Sequence, residues 1–319
     1  MFDFELYIKS LKEEDNLKFR ADVTHNQFLA LSTKLNQADL ENDMVNSKYF
    51  VNLRGAKNPP LPEIDKWLKN SWNTEKVLAE NKTVIENTGQ SFAMQWAFAQ
   101  AYYTTFGSFL AHFKAVGHTE NSHSAVLKKL GKLMGESKLP LSMSFYSTGG
   151  RNHIDFVNIS KPCGIKNLQI ELEKEETINN QICQFLKSTR ELRLKEKVSD
   201  FKFITSKRKP KKSLNFLDWK KVSDSLGHTT IMDLLYRKRI KANYDDIDTF
   251  NYNGFKGLDV LNSLCCITNR LNLVNECYIA KAIGIEQYTS ILSNHLKRVK
   301  NNIVEERLNT VLAVVSAVS

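Results

Sequence analysis

SFAMQWAFAQAYYTTFGSFLAHFKAV, residues 91–116, carries apolar side chains around the whole circumference of a helix. A helix with water along one side keeps a polar face, so this pattern predicts a central helix that is enclosed by its neighbours. The aromatic residues expected in the core are Phe92, Trp96, Phe98, Tyr102, Tyr103, Phe106, Phe109 and Phe113. Gly117 follows in the position of a C-cap glycine, where we expect the helix to end.

Apolar residues recur at helical spacing on both sides of this stretch. The predicted helices are two pieces within residues 1–53, then 63–87, 125–134, 168–197, 258–282 and one or two within 288–318. The prolines of NPPLP, residues 58–62, predict a linker that cannot be helical. Gly149, Gly150 and Pro162 predict an irregular region or a small hairpin within residues 138–163. The fold class predicted is all-α, a helical bundle.

A second informative stretch is LLYRKRIKANYDDIDTF, residues 234–250, at the end of a predicted helix. Arg237 and Tyr244 are seven residues apart and share one face, while Arg239 and Asn243 are four apart and share another. We therefore expect one helix end to present a guanidinium, an amide and a phenol together. The alternative is a solvated, charged helix end.

This helix end resembles the closing helix of HEPN domains (higher eukaryote and prokaryote nucleotide-binding), in which an Arg-x-x-Ala-Asx-Tyr pattern is common. Arg239, Ala242, Asn243 and Tyr244 match that pattern. Upstream, AQAYYTTFGSFLAHFKAVGHTENSHSAVLKKLG, residues 99–131, resembles the central helix of the family with its Ala-Tyr-Tyr signature, followed by a Ser-His that opens the next helix.

The resemblance implies a domain organisation around a HEPN-like bundle. Residues 63–250 would form the bundle, with an insertion at about residues 138–215. Residues 1–60 would be an N-terminal helical segment and residues 255–319 a C-terminal helical extension.

The resemblance also implies a function directed at RNA. HEPN proteins include ribonucleases and RNA-binding components of toxin–antitoxin and antiviral defence systems, and their chemistry requires neither metal nor cofactor. It further implies a homodimer and, in such systems, a protein partner or antitoxin. A non-catalytic helical scaffold or protein-interaction module is the alternative function.

The candidate catalytic residues are Arg239, Tyr244, Asn243 and Arg237, but the family histidine is missing. Catalytic members have four to six residues between the Arg and a following His, whereas this chain has Tyr244 in the expected place. A phenol with a pKa of about 10 is a poor base at neutral pH, so we expect weak or conditional cleavage. Arg239 would bind phosphate, and Tyr244 would stack or donate a hydrogen bond.

Two other histidines are considered for this missing role. His123 lies at the start of a predicted helix, with Ser122 or Asn121 as the cap, and a capping or packing role is expected for it. Arg20 and His25 have the family spacing, although they lie far from the position that the family uses.

Positive charge is concentrated in one region of the chain. The chain carries 45 Lys and Arg against 35 Asp and Glu, and residues 187–221 supply an excess of nine positive charges. The basic loop SKRKPKK, residues 206–212, lies near aromatic residues, which a phosphate backbone and its bases would favour. The nucleic-acid-binding candidates are Lys207, Arg208, Lys209, Lys211 and Lys212, and a solvated loop is the alternative.

Several classes of protein lose support from absences in the sequence. The five cysteines include no Cys-x-x-Cys pair, which argues against a disulfide framework and a zinc site and fits a reducing cytosol. No signal-peptide pattern and no apolar run long enough for a membrane span are present, so a cytoplasmic protein without membrane contact is expected. Glycine-rich phosphate loops, zinc-protease helices and serine-hydrolase elbows are also missing.

Overall fold

The computed structural model describes residues 4–88, 94–151, 153–160, 171–204, 211, 213–252 and 254–318. This part of the chain is all-α apart from one small hairpin, which confirms the predicted fold class. The helices are α1 (Phe4–Asn36), α2 (Leu40–Val45), α3 (Lys48–Val51), α4 (Leu61–Thr88), α5 (Met94–Ala115), α6 (His123–Gly135), α7 (Glu175–Val198), α8 (Phe216–Leu226), α9 (Ile231–Ile240), α10 (Ile247–Asn251), α11 (Gly257–Ile283), α12 (Ile285–Leu296) and α13 (Asn302–Ser316). None of them is both long and apolar enough to cross a membrane.

Helix α5 lies at the centre of the molecule, packed against α4, α11 and α9. Phe98, Phe109 and Phe113 are buried, as the sequence predicts. Gly117 ends the helix with a φ of 83°, a left-handed conformation that glycine adopts without steric cost. Phe92, also predicted to lie in the core, falls outside the described residues.

The prediction that α5 is enclosed on every side is wrong at two aromatic residues. Trp96 exposes 62% of its surface and Tyr103 exposes 37%. The two residues are seven apart and therefore share one face of the helix. Neighbouring helices leave this stripe partly uncovered, so α5 presents aromatic rings to solvent.

Two helix starts differ from the predicted positions. Helix α4 begins at Leu61 and includes Pro62, because the first N–H groups of a helix need no partner within the helix and proline lacks only that donor. Helix α6 begins at His123, and the Ser122 side chain caps it by accepting a hydrogen bond from the backbone N–H of Ala125 at 3.3 Å. The predicted Ser122 cap is confirmed, whereas the prolines led to a predicted start of α4 two residues too late.

The predicted irregular region contains a hairpin of β1 (Tyr146–Gly150) and β2 (His153–Val157), which are antiparallel with Tyr146 opposite Val157. Buried Arg190 of α7 fixes this hairpin. Its Nε donates to the Gly149 carbonyl at 2.7 Å, and its two terminal nitrogens donate to the Gly227 carbonyl at 2.9 Å and the Ser223 hydroxyl at 2.8 Å. One guanidinium thus joins the hairpin, α7 and α8.

The C-terminal helices share the main hydrophobic cluster with the rest of the chain. That cluster includes residues from Ala21 to Val315, and the apolar stripe of α11 packs against α1, α4 and α5. Buried Arg307 of α13 donates to both oxygens of Glu75 at 2.9 Å and to Glu276 at 2.6 Å. An ion network in the core therefore joins α13 to α4 and α11.

Candidate functional site around Arg239

A π-helical turn, Lys241–Asp245, follows α9 and determines where the predicted site residues point. Within it, the Asn243 side chain donates to the Arg239 carbonyl at 2.9 Å and to the Gln95 carbonyl of α5 at 3.3 Å. Asn243 therefore anchors the turn to the start of α5 and has its amide N–H groups engaged in that role.

The predicted grouping of a guanidinium, an amide and a phenol on one helix end does not form as expected. Arg237 points to α7, where its Nη1 donates to the Ser188 hydroxyl at 2.7 Å and the Thr189 hydroxyl at 2.9 Å. Tyr244 is 71% exposed. Because the hydrogen bonds of a π-helical turn span five residues instead of four, the spacing rules of an α-helix do not apply across it.

Arg239 lies among three tyrosines. Its guanidinium carbon is 4.9 Å from the ring centroid of Tyr103, 5.6 Å from that of Tyr236 and 5.7 Å from that of Tyr102. These are cation–π distances, which hold the charge on the aromatic faces without using its N–H groups. The guanidinium has no hydrogen-bond partner within the described part of the chain, so its donors are available to a ligand.

His123 lies against the same three tyrosines. Its ring centroid is 5.5 Å from that of Tyr102, 5.9 Å from that of Tyr236 and 6.2 Å from that of Tyr103. Its Nδ1 is 2.8 Å from the Tyr102 hydroxyl. The histidine expected to cap or pack therefore lies next to Arg239, brought there by the packing of α5, α6 and α9.

We name this group of side chains the Arg239–His123 cluster. Its members are Tyr102, Tyr103, Phe106, His123, Tyr236 and Arg239, and the Phe106 ring completes it at 4.5 Å from His123.

The cluster favours a neutral imidazole and a protonated phenol. Burial lowers the pKa of His123, and the positive charge of Arg239 lowers it further. Burial raises the pKa of Tyr102, with a further contribution from Tyr236. At neutral pH, His123 is therefore uncharged and Tyr102 keeps its proton.

The hydrogen bond to Tyr102 determines what His123 can do chemically. A neutral imidazole carries one N–H, so Nε2 is an acceptor only when Nδ1–H donates to the Tyr102 oxygen. Nε2 has no hydrogen-bond partner among the residues that the structure describes. In that tautomer, His123 can accept a proton from a bound molecule.

Solvent reaches the cluster from two sides. Tyr103 belongs to the exposed stripe of α5 together with Trp96, and Trp96 directly follows Gln95, which Asn243 contacts. A cavity of about 240 Å³ adjoins the cluster at Tyr236 and is also lined by Ser124, next to His123, and by residues at the end of α7.

Arg20 and His25, the other pair considered, have separate partners. Arg20 Nη1 donates to Asp246 at 2.6 Å, and His25 Nε2 is 3.2 Å from Asp259. His25 is buried, and each side chain forms its own ion pair or hydrogen bond. The spacing that links them in the sequence does not produce a joint site.

Of the predicted nucleic-acid-binding residues, only Lys211 belongs to the described part of the chain. Lys207, Arg208, Lys209 and Lys212 lie outside it. The Lys211 ammonium donates to both oxygens of Asp218, at 2.8 and 2.7 Å. Its charge is therefore already neutralised by a carboxylate.

Tertiary packing brings His123, for which a capping or packing role was expected, and Tyr236, which was not among the predicted site residues, into one cluster with Arg239. The available signal was the Ser-His that follows the Ala-Tyr-Tyr signature, but the proximity of His123 to Arg239 depends on tertiary packing. No group of three or more His, Cys, Asp or Glu able to hold a metal ion occurs within the described ranges. Comparisons with protein-family models, curated proteins and solved structures each gave no match.

Proposed function

We propose that this protein binds single-stranded RNA at the Arg239–His123 cluster and cleaves it without a metal ion. The observation that supports this most strongly is the shared tyrosine environment of an arginine with unused donors and a neutral histidine. In the HEPN-like setting suggested by the sequence, such a protein would act in toxin–antitoxin or antiviral defence.

The proposed reaction uses the 2′-hydroxyl of the RNA as nucleophile. His123 Nε2 takes the hydroxyl proton, the 2′-oxygen forms a bond to phosphorus, and the bond from phosphorus to the 5′-oxygen breaks. The products are a 2′,3′-cyclic phosphate and a 5′-hydroxyl, whose proton comes from solvent. Arg239 stabilises the charge that develops on the phosphate oxygens, a role that arginine fills because it stays protonated.

The exposed aromatic residues next to the cluster are suited to hold unpaired bases. Trp96 and Tyr103 share a face of α5, and Tyr244 follows the residue that contacts the start of that helix. Stacking on aromatic rings stabilises single strands with little dependence on sequence. Tyr244 thus has a binding role in this proposal, and His123 takes the role of the base.

Cleavage of a fluorescent single-stranded RNA in EDTA tests the proposal. We expect His123→Ala to lower kcat/KM by roughly 100-fold or more, as loss of a general base does. Arg239→Ala should weaken both binding and cleavage. Arg298→Ala, at an exposed arginine after α12, is the matched control and should behave as wild type. The proposal fails if His123→Ala and Arg239→Ala both cleave at the wild-type rate.

A protein-interaction module is the second candidate function. Phe216 and Leu217 at the start of α8 are both 64% exposed, an apolar pair that a partner protein or antitoxin could cover. Absence of RNA binding by the wild-type chain at low salt would favour this function over the first.

A further inference from the structure

A groove of about 870 Å³ lies between the end of α7, the segment that follows it, the hairpin and α8. Its described lining includes four cationic side chains, those of Arg151, Lys195, Lys202 and Lys211, and no carboxylate. Since Lys211 is bonded to Asp218, three of these cations remain without a carboxylate partner among the described residues.

Aromatic rings lie between these charges. Phe201 and Phe203 are stacked with centroids 5.5 Å apart, and the Arg151 guanidinium is 5.8 Å from the ring centroid of Trp219. All three rings are half-buried and pack on a small cluster that includes Leu194 and Val222 of α7 and α8. Packing on this cluster therefore fixes the positions of the rings, and their exposed parts remain open to the groove.

The groove and the Arg239–His123 cluster are connected by the end of α7. Lys195 and Val198 line the groove. Arg193, Glu196, Lys197 and Asp200 line the 240 Å³ cavity next to Tyr236, where Arg193 pairs with Asp233 and Lys197 with Asp200. The groove and this cavity therefore have the end of α7 as a common wall.

We propose that this groove is a second binding site for single-stranded RNA, which holds the strand while a neighbouring segment occupies the Arg239–His123 cluster. The choice of ligand rests on the proposed function. Unpaired cations attract the phosphates, and half-open aromatic rings take the bases, which a duplex keeps stacked on one another. An acidic protein would engage the cations without needing the rings.

The binding test uses the full chain carrying His123→Ala, so that the probe stays intact. Anisotropy of a fluorescein-labelled oligouridine of about 12 nucleotides gives the affinity. The groove variant combines Arg151→Gln, Lys195→Gln and Lys202→Gln. The control variant makes the same charge change at exposed Lys48, Lys57 and Arg298.

We expect the groove variant to bind at least roughly ten-fold more weakly, with the log–log salt slope reduced by about 2, since each contact on a single strand contributes about 0.7. The control should bind like the parent. Equal affinities and slopes for the two variants would overturn the inference.

The stacking part of the inference is tested at Trp219. Trp219→Ala should weaken binding by roughly five-fold or more, while Trp219→Phe retains most of the affinity. Thermal melting followed by circular dichroism identifies any loss of folding. The inference would be overturned if a folded Trp219→Ala variant bound RNA as well as the parent and the protein bound heparin equally strongly. Such a result would mean that charge alone determines binding.

Cross-linking distinguishes failure of this inference from failure of the proposed function. RNA carrying 5-iodouridine should cross-link to peptides that contain Trp219, Phe201 or Phe203. Cross-links only at Trp96 and Tyr103 would leave the proposed function intact and refute the groove. RNA binding that depends on the groove but is unaffected by Arg239→Ala would support the groove and refute the proposed function.

Discussion

Burial and the charge of Arg239 both lower the pKa of His123, so these two residues are electrostatically coupled. The coupling keeps the imidazole neutral, as a proton acceptor must be. Cleavage that depends on neutral His123 should rise with pH through its pKa and level off above it. That plateau should begin at a lower pH than an ordinary histidine would give.

Removal of the neighbouring charge should raise the pKa of His123. In Arg239→Gln we expect an NMR titration of the His123 ring to move upward, toward the ordinary value of about 6.5. The His123 signal is assigned by its loss in His123→Gln. A titration that is the same with and without Arg239 would show that the two side chains do not interact in solution.

Lys238 is a second residue with a perturbed charge. It is buried in α9, its ammonium donates to the Thr24 hydroxyl at 2.8 Å, and burial lowers its pKa well below the ordinary value, with Arg237 adding to the effect. Because the unfolded chain binds this proton more readily, the free energy of unfolding should rise with pH up to about 10.

Replacement of Lys238 by an apolar residue should therefore stabilise the protein. Lys238→Met keeps a long side chain in the core and should raise the free energy of unfolding by on the order of 1 kcal/mol at neutral pH. It should also flatten the rise toward high pH. Urea unfolding at several pH values measures both effects, with exposed Lys128→Met as control. A less stable Lys238→Met would show that the ammonium contributes net stability.

At the scale of elements, α5 has both core-forming and solvent-facing aromatic residues. Phe109→Ala should lower the free energy of unfolding by about 3–5 kcal/mol, because it leaves a cavity among buried rings. Trp96→Ala, at an exposed position, should change it by no more than about 0.5 kcal/mol. Equal losses in chemical denaturation would contradict this division, and a normal Trp96→Ala stability combined with weaker RNA binding would agree with it.

Helices α4, α5, α7 and α11 could be predicted because each repeats apolar residues at a spacing that tertiary contacts did not override, whereas α8 and α10 were not among the predicted helices. The exposure of Trp96 could not be predicted, because an aromatic residue in an apolar helix gives the same sequence pattern whether it lies in the core or on the surface. Arg239 and Tyr102 were marked by sequence patterns. Their proximity to His123 could not be predicted, since it depends on how α5, α6 and α9 pack across more than 100 residues of chain.

At the scale of the whole molecule, self-association remains a prediction from the HEPN resemblance. The apolar stripe of α11 packs within the chain against α1, α4 and α5. Light scattering at about 50 µM protein should give twice the mass of one chain. The mass of Arg239→Ala is compared with that of wild type in the same measurement, because pairing of the kind found in HEPN proteins would bring two copies of this helix end together. A mass of one chain would contradict the prediction.

The ion network around Arg307 also has a consequence for incomplete chains. Glu75 and Glu276 are buried carboxylates whose cation comes from α13. A product that stops before residue 307 would have to bury two negative charges without it, which is strongly unfavourable. Such a fragment would remain partly open and susceptible to proteases, so the cell would degrade truncated copies in preference to complete ones.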